Sequence, residues 1–89
     1  MIGVQLVLRG QSFDITVDDI LKVTQTIPPD PLVRYAVQLH DRWYPPKQVL
    51  SLATGLPVAA FTTQDAYRTM QRLGLVVVEA SSLKWEGDD

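Results

Sequence analysis

Apolar residues recur along this chain at two spacings, and each spacing predicts a type of secondary structure. Over residues 2–9 they alternate with mixed positions, which predicts a strand that ends at Gly10. Over residues 34–44 the same alternation surrounds a central polar pair. Over residues 66–73 apolar side chains are instead three and four residues apart, which is the spacing of one helix face.

A capping signal marks the first helix. The Thr16 hydroxyl can accept from a free backbone amide, and Asp19 follows three residues later, as in a capping box. Ile15 and Ile20 occupy the two positions of a hydrophobic staple. We therefore predict a helix over about residues 16–27, where two consecutive prolines stop it. The segment before it is expected to be an N-terminal strand and connector.

Residues 34–44 predict a β-hairpin. His40 and Asp41 take the tight turn, because both residue types tolerate a positive φ better than most. This turn sets the register, in which Leu39 opposes Arg42, Gln38 opposes Trp43 and Val37 opposes Tyr44. The core face is predicted to hold Tyr35, Val37, Leu39 and Tyr44. The other face is predicted to hold Arg34, Ala36, Gln38 and Trp43.

Two more helices and a strand pair complete the prediction. Pro45 and Pro46 suit the first turn of a helix over residues 47–54, which ends at Gly55. The third helix has Thr62 as N-cap, Asp65 at its third position and Gly74 after its end. Its predicted buried stripe is Ala66, Tyr67, Met70 and Leu73. Residues 75–79 are rich in β-branched side chains and predict a strand, with a partner strand over 83–85.

These elements predict one small α+β domain over residues 1–89, with three helices and a small antiparallel sheet. Residues 1–15 are its N-terminal strand and connector, and residues 86–89 are a frayed acidic tail. A helix pair followed by a strand pair is winged-helix-like, an order that places the third helix in a DNA groove.

Composition limits the chemistry. With 46% apolar and 20% charged residues the chain is typical of a globular domain, and it has no cysteine and a single histidine. It has no glycine-rich phosphate loop, no apolar run of about 20 residues and no secretion signal pattern. We therefore expect a cytoplasmic protein with no catalytic residues, metal, cofactor, membrane contact or small-molecule substrate.

Charge is unevenly distributed. The formal net charge is −2, yet residues 34–84 hold six basic against three acidic side chains. A basic segment suits a nucleic-acid partner, although an ordinary solvated surface can show the same small excess.

The third helix carries a second, polar stripe. Four side chains at helical spacing lie opposite its buried stripe: Gln64, Arg68, Gln71 and Arg72. Glutamine and arginine read base edges and phosphates, and Thr62 and Thr63 would offer hydroxyls and free amides to a phosphate. The alternative is the solvated face of an ordinary amphipathic helix.

Four further residues are candidates for DNA contact: Arg34, Arg42, Trp43 and Lys47. Lys47 opens the second helix, where unsatisfied amides and a cation would suit a backbone phosphate. Arg42 and Trp43 lie at the hairpin tip, where an indole could stack on or wedge into DNA. The alternatives are a plain surface lysine and a tryptophan that covers one side of the sheet. His40 is interpreted as a turn residue.

The segments Tyr35-Ala36-Val37, His40 to Val49, Ala53-Thr54-Gly55, Phe61-Thr62 and Leu73-Gly74-Leu75 together resemble a known domain. They are similar to the N-terminal head domain of McrA-like modification-dependent HNH restriction endonucleases, with Tyr44-Pro45-Pro46-Lys47 as the most specific part. Here the hairpin turn is shorter and lacks glycine, and Leu75 replaces a phenylalanine. The chain has no asparagine and one histidine, so the HNH nuclease is absent.

The resemblance implies a detached head domain that binds double-stranded DNA without cutting it. It also implies recognition of methylated or phosphorothioated DNA, in restriction-type bacterial defence or in regulation. The alternative from the residues themselves is a module that binds another protein or its own copy, since a near-neutral domain with proline-rich turns and an exposed Trp43 suits that use equally.

Overall fold

Three α-helices and five strands occupy the part of the chain that the structure, a computed structural model, describes: residues 3–8 and 10–87. The predicted α+β class is therefore confirmed. The elements are β1 (Gly3–Leu8), β2 (Gln11–Thr16), α1 (Val17–Thr24), β3 (Tyr35–Leu39), β4 (Arg42–Tyr44), α2 (Pro46–Thr54), α3 (Thr63–Arg72) and β5 (Val77–Glu79). Two 3-10 helices, Val58–Ala60 and Ala80–Gly87, lie before α3 and after β5.

The first two strands form an antiparallel hairpin of their own, with Gly10 in the turn at a φ of 79°. The connector predicted before the first helix was wrong, because this segment forms the second strand, β2. Phe13 and Ile15 alternate with polar residues as a strand requires, and Ile15 is buried while Phe13 is half-buried against the core. Residues 2 and 9, which the predicted first strand included, lie outside the described part of the chain, as does residue 1.

The second sheet has the order β4-β3-β5, and all its pairs are antiparallel. Its β3–β4 hairpin confirms the predicted register, because Val37 pairs with Tyr44 and Leu39 with Arg42. The turn residues His40 and Asp41 have φ of 52° and 63°. The residue types at the turn thus determine which side chains of β4 enter the core.

The prediction of a strand over residues 83–85 was wrong, because residues 80–87 form a 3-10 helix. The Ser82 hydroxyl donates to the Glu79 carbonyl at 2.7 Å, a local bond that favours a turn over an extended chain. β5 pairs with the free edge of β3 instead. The strand pair of a winged helix is therefore not formed within residues 3–8 and 10–87. The winged-helix likeness now rests on the order of α2, α3 and β5 and stays a prediction.

Local signals set the helix ends. Both predicted capping boxes are present, with Thr16 and Asp19 bonded to each other's amides at 3.1 and 3.2 Å, and Thr62 and Asp65 at 3.0 and 3.3 Å. Helix α1 ends at Thr24, three residues before the predicted end. Of the predicted tail over residues 86–89, the first two residues belong to the 3-10 helix and the last two lie outside the described residues.

One apolar cluster joins the two sheets and the helices. Its buried members are Val4, Ile15, Ile20, Val37, Leu39, Tyr44, Val49, Leu50, Phe61, Ala66, Met70 and Leu73. Tyr35 and Tyr67 were predicted in the core and are only half-buried. Ala36 was predicted on the outer face, yet it is fully buried. The chain beyond β5 explains this burial, since the 3-10 helix packs beside β3 and Ala80 donates to the Arg34 carbonyl at 2.7 Å.

The Tyr44 hydroxyl fixes the C-terminal end of α1. Tyr44 is fully buried, and its O–H lies 3.0 Å from the Thr24 carbonyl and 2.6 Å from the Ile27 carbonyl. The Thr24 carbonyl, at the end of the helix, also accepts from the Ile27 amide at 3.3 Å, and the Ile27 carbonyl lies three residues beyond the helix. The strand β4 therefore supplies the C-terminal cap that α1 does not carry in its own sequence.

We expect Tyr44→Phe to lower the free energy of unfolding by about 1 to 3 kcal/mol, because the half-buried Ile27 carbonyl loses its hydroxyl donor and the Thr24 carbonyl keeps only the Ile27 amide. Tyr44→Ala should cost about 3 kcal/mol or more, since it also leaves a cavity. Trp43→Ala, next to it on the half-exposed face, should cost much less. Urea denaturation of the three variants measures this order, and a larger loss for Trp43→Ala would contradict it.

Candidate functional site

A cleft of about 270 Å³ lies where the segment before β3 meets the N-terminal ends of α2 and α3. Three of the predicted contact residues, Arg34, Lys47 and Thr63, line it. Two valines at its rim are exposed, Val33 at 90% and Val58 at 44%. The cleft thus combines two cations with an apolar rim.

Gln48 holds one wall of the cleft in place. Its side chain is 7% exposed, its Oε1 accepts from the Asp30 amide at 2.8 Å, and its Nε2 donates to the Pro28 carbonyl at 3.1 Å. The proline-rich segment before β3 is therefore held against α2. Sequence reasoning missed Gln48, although a glutamine beside the apolar Val49 and Leu50 is the one available signal.

The N-terminal end of α2 has no side-chain cap. Its N-cap is Pro45, its first turn contains no acidic residue, and Lys47 follows at the second position. Uncompensated backbone amides give a helix start a partial positive charge, which the Lys47 ammonium increases. This end of the cleft is therefore suited to a negatively charged group.

The start of α3 differs, because its N-cap carries a side-chain cap. The Thr62 hydroxyl and amide are both used in the capping box with Asp65. The amide is engaged as a donor, whereas the hydroxyl accepts and can still donate its own proton; the nearby Asp65 carboxylate would repel a phosphate. Only Thr63 of the predicted pair lines the cleft.

A stacked row of side chains connects the cleft to α3. The Arg34 guanidinium lies 5.6 Å from the centroid of the Tyr35 ring, and that ring stacks on Tyr67 with centroids 4.6 Å apart. The Tyr67 hydroxyl accepts from Gln71 Nε2 at 2.9 Å. This row orients Arg34, because a cation over an aromatic face is attracted by the ring.

The polar stripe of α3 is placed as predicted. All four of its side chains are exposed: Gln64, Arg68, Gln71 and Arg72. At 3.6 residues per turn they span about 100° of the helix surface. Thr63 and Tyr67 lie next to this stripe on the side of the cleft. The stripe and the cleft are therefore neighbours on one surface.

The hairpin tip is not part of that surface. Arg42 is exposed and pairs with Leu39, at the far end of β3 from Arg34. Leu39 is five positions after Arg34 in the sequence, which corresponds to about 16 Å along an extended strand. Trp43 is half-buried beside it. These two candidates therefore lie apart from the cleft.

His40 is a turn residue as predicted, and its ring also docks the hairpin tip on α1. His40 Nε2 lies 3.0 Å from the Leu21 carbonyl and 3.1 Å from the Thr24 hydroxyl. A carbonyl can only accept, so Nε2 carries the proton. A depression of about 290 Å³ lies beside this contact, on the α1 side.

The described residues contain neither a group of metal-binding side chains nor a membrane-spanning helix. Within residues 3–8 and 10–87 no three His, Cys, Asp or Glu side chains are grouped so that they could hold a metal ion. In the same ranges, no helix has the length and apolar character needed to cross a membrane.

The contacts of Gln48 generate a prediction. Gln48→Leu keeps the size of the side chain but leaves the Asp30 amide and the Pro28 carbonyl without partners. We expect the Asp30 amide to exchange with solvent faster by NMR and the free energy of unfolding to fall by about 1 to 2 kcal/mol. Gln25→Leu, at the exposed residue that follows α1, is the matched control. Unchanged exchange at Asp30 would show that the wall is held by other contacts.

Comparison with known proteins places the chain in a family. No curated protein and no solved structure matches it. A family model, that of the SCO5918-like proteins, matches residues 4–87. The match includes β1 through the C-terminal 3-10 helix, and so every element that forms the cleft and the stripe. The chain belongs to the SCO5918-like family.

Proposed function

We propose that this domain binds double-stranded DNA without cutting it, with α3 in the major groove. The observation that carries the proposal is the position of the four exposed polar side chains of α3 beside a cleft with two cations. Arginine and glutamine make bidentate contacts to guanine and adenine in that groove. Arg34 and Lys47, on the flank of α3, would then contact the phosphates of the adjacent strand.

The distribution of charge supports this orientation. Asp14, Asp18 and Asp19 lie on β2 and α1 and are not among the residues that line the cleft. Asp30 is the one acidic residue in that lining, beside the two cations. The uncapped start of α2 adds a partial positive charge beside Lys47. A net charge of −2 is therefore compatible with a locally attractive surface.

The resemblance to the McrA-like head domain gives the proposal its biological context. On that resemblance, the DNA is methylated or phosphorothioated, and the domain acts in the bacterial cytoplasm in restriction-type defence or regulation. The Tyr44-Pro45-Pro46-Lys47 element lies at the start of α2, at the cleft. A gel-shift panel of unmodified, methylated and phosphorothioated duplexes tests this part, and equal affinity for all three would remove it.

A second candidate function is binding to another protein or to its own copy. The observation that favours it is the exposed apolar rim of the cleft, Val33 and Val58. Exposed apolar side chains beside polar ones are common at protein interfaces. A salt series separates the two functions, because DNA binding through several cations weakens steeply with salt and an apolar interface need not.

For α3 we expect Arg68→Ala and Arg72→Ala each to weaken DNA binding without unfolding the domain, since both side chains are exposed. Loss of a phosphate contact should lower the slope of log affinity against log salt by about one, and loss of a base contact should cost roughly 1 to 3 kcal/mol of discrimination. Lys22→Ala on α1 is the control. Unchanged affinity in the double variant would contradict the major-groove position of α3.

For the cleft we expect Lys47→Glu to weaken binding to every duplex by a similar factor, because a phosphate contact carries no sequence information. Lys22→Glu makes the same change of charge on α1 and should have a small effect. Affinities for one modified and one unmodified duplex at two salt concentrations measure this. A loss confined to one duplex would make Lys47 a reader of bases, and no loss would place the phosphate contacts elsewhere.

A further inference from the structure

We propose that the cleft takes a single nucleotide extruded from the bound duplex, with the base inside and the adjoining phosphates at Arg34 and Lys47. This inference rests on the proposed DNA binding and identifies what part of the DNA reaches the cleft. The volume of about 270 Å³ lies just below the range of small-molecule sites, roughly 300 to 1,000 Å³. It suits one base and excludes a helical segment of DNA.

The lining matches the chemistry of a base. Val33, Val58 and two prolines, Pro31 and Pro45, supply apolar surface for its faces. Extruded bases are held by stacking and apolar contact, together with hydrogen bonds to the edge that pairing normally occupies. An apolar rim that is otherwise exposed to solvent, Val33 at 90%, would then be covered by the nucleotide.

Arg34 is oriented for a second stacking contact. Its guanidinium carbon lies 5.6 Å from the centroid of the Tyr35 ring, which also stacks on Tyr67. A planar guanidinium can stack a base on its other face while its N–H groups bond a phosphate. A lysine at this position could not make the planar contact.

Asp30 adds a negatively charged hydrogen-bond acceptor to the cleft. Its carboxylate lines the cleft together with Arg34 and Lys47, and would repel a phosphate. It accepts hydrogen bonds, as acidic side chains do from the amino group of cytosine. A base with an exocyclic amino group would therefore be favoured, because it can donate to Asp30 while its phosphates contact the two cations.

The position beside α3 makes the extrusion geometrically feasible. Thr63 and Tyr67 separate the cleft from the exposed stripe by less than one helical turn. A helix in the major groove has a phosphate backbone along each flank, so the strand on this flank passes over the cleft.

The test compares duplexes that differ in the cost of extrusion. A mismatched base or an abasic residue opposite the extruded nucleotide removes part of the pairing that must be broken, so we expect at least tenfold tighter binding than to the matched duplex. A 2-aminopurine at the same position should become several-fold more fluorescent on binding, because it leaves the base stack.

Val58→Trp fills the cleft from an exposed position, and Ala59→Trp places the same ring on the next, exposed residue outside the lining. Val58→Trp should abolish the preference for mismatched DNA and the fluorescence rise. Ala59→Trp should retain both. Binding to matched duplex with no mismatch preference, or equal effects of the two tryptophans, would overturn the inference and leave the proposed function intact. Failure to bind any duplex at low salt would overturn both.

Discussion

The Tyr44 hydroxyl makes the contact on which the rest of the fold depends. A buried phenol must find a partner, and here it donates toward the carbonyls of Thr24, the last residue of α1, and of Ile27 in the segment that follows. The ring belongs to the apolar cluster, so a strand, a helix end and the core are joined at one residue. Four residues later, Gln48 ties the following segment to α2. Successive contacts from one stretch of chain thus position the whole of residues 24–30.

That arrangement gives the cleft its shape. Its walls come from segments far apart in sequence, residues 30–35, 45–48 and the start of α3. A hairpin shifted by one residue would turn Tyr44 outward and release the end of α1, because side chains alternate between the faces of a strand. The tight turn at His40 and Asp41 prevents such a shift. Its histidine ring adds a second contact to the same helix.

Much of the fold could be predicted because its signals are local. The capping boxes at Thr16 and Thr62, the positive φ of His40 and the exposed stripe of α3 follow from residue type and spacing alone. β2, the burial of Ala36 and the 3-10 helix after β5 were missed, since each depends on what packs against it. For the candidate site, sequence indicated Arg34, Lys47 and Thr63 individually. It could not show that they share a cleft, or that Arg42 lies at the other end of β3, because both facts depend on long-range pairing.

Five prolines border or approach the cleft, at positions 28, 29, 31, 45 and 46. Each ring fixes φ near −65°, so these stretches had few conformations to lose when the chain folded. The walls are therefore ordered before any ligand arrives, and a ligand does not have to supply the free energy that orders a flexible loop. Association with this surface should carry a small conformational-entropy penalty on the protein side. Any slow step would then come from rearrangement of the partner.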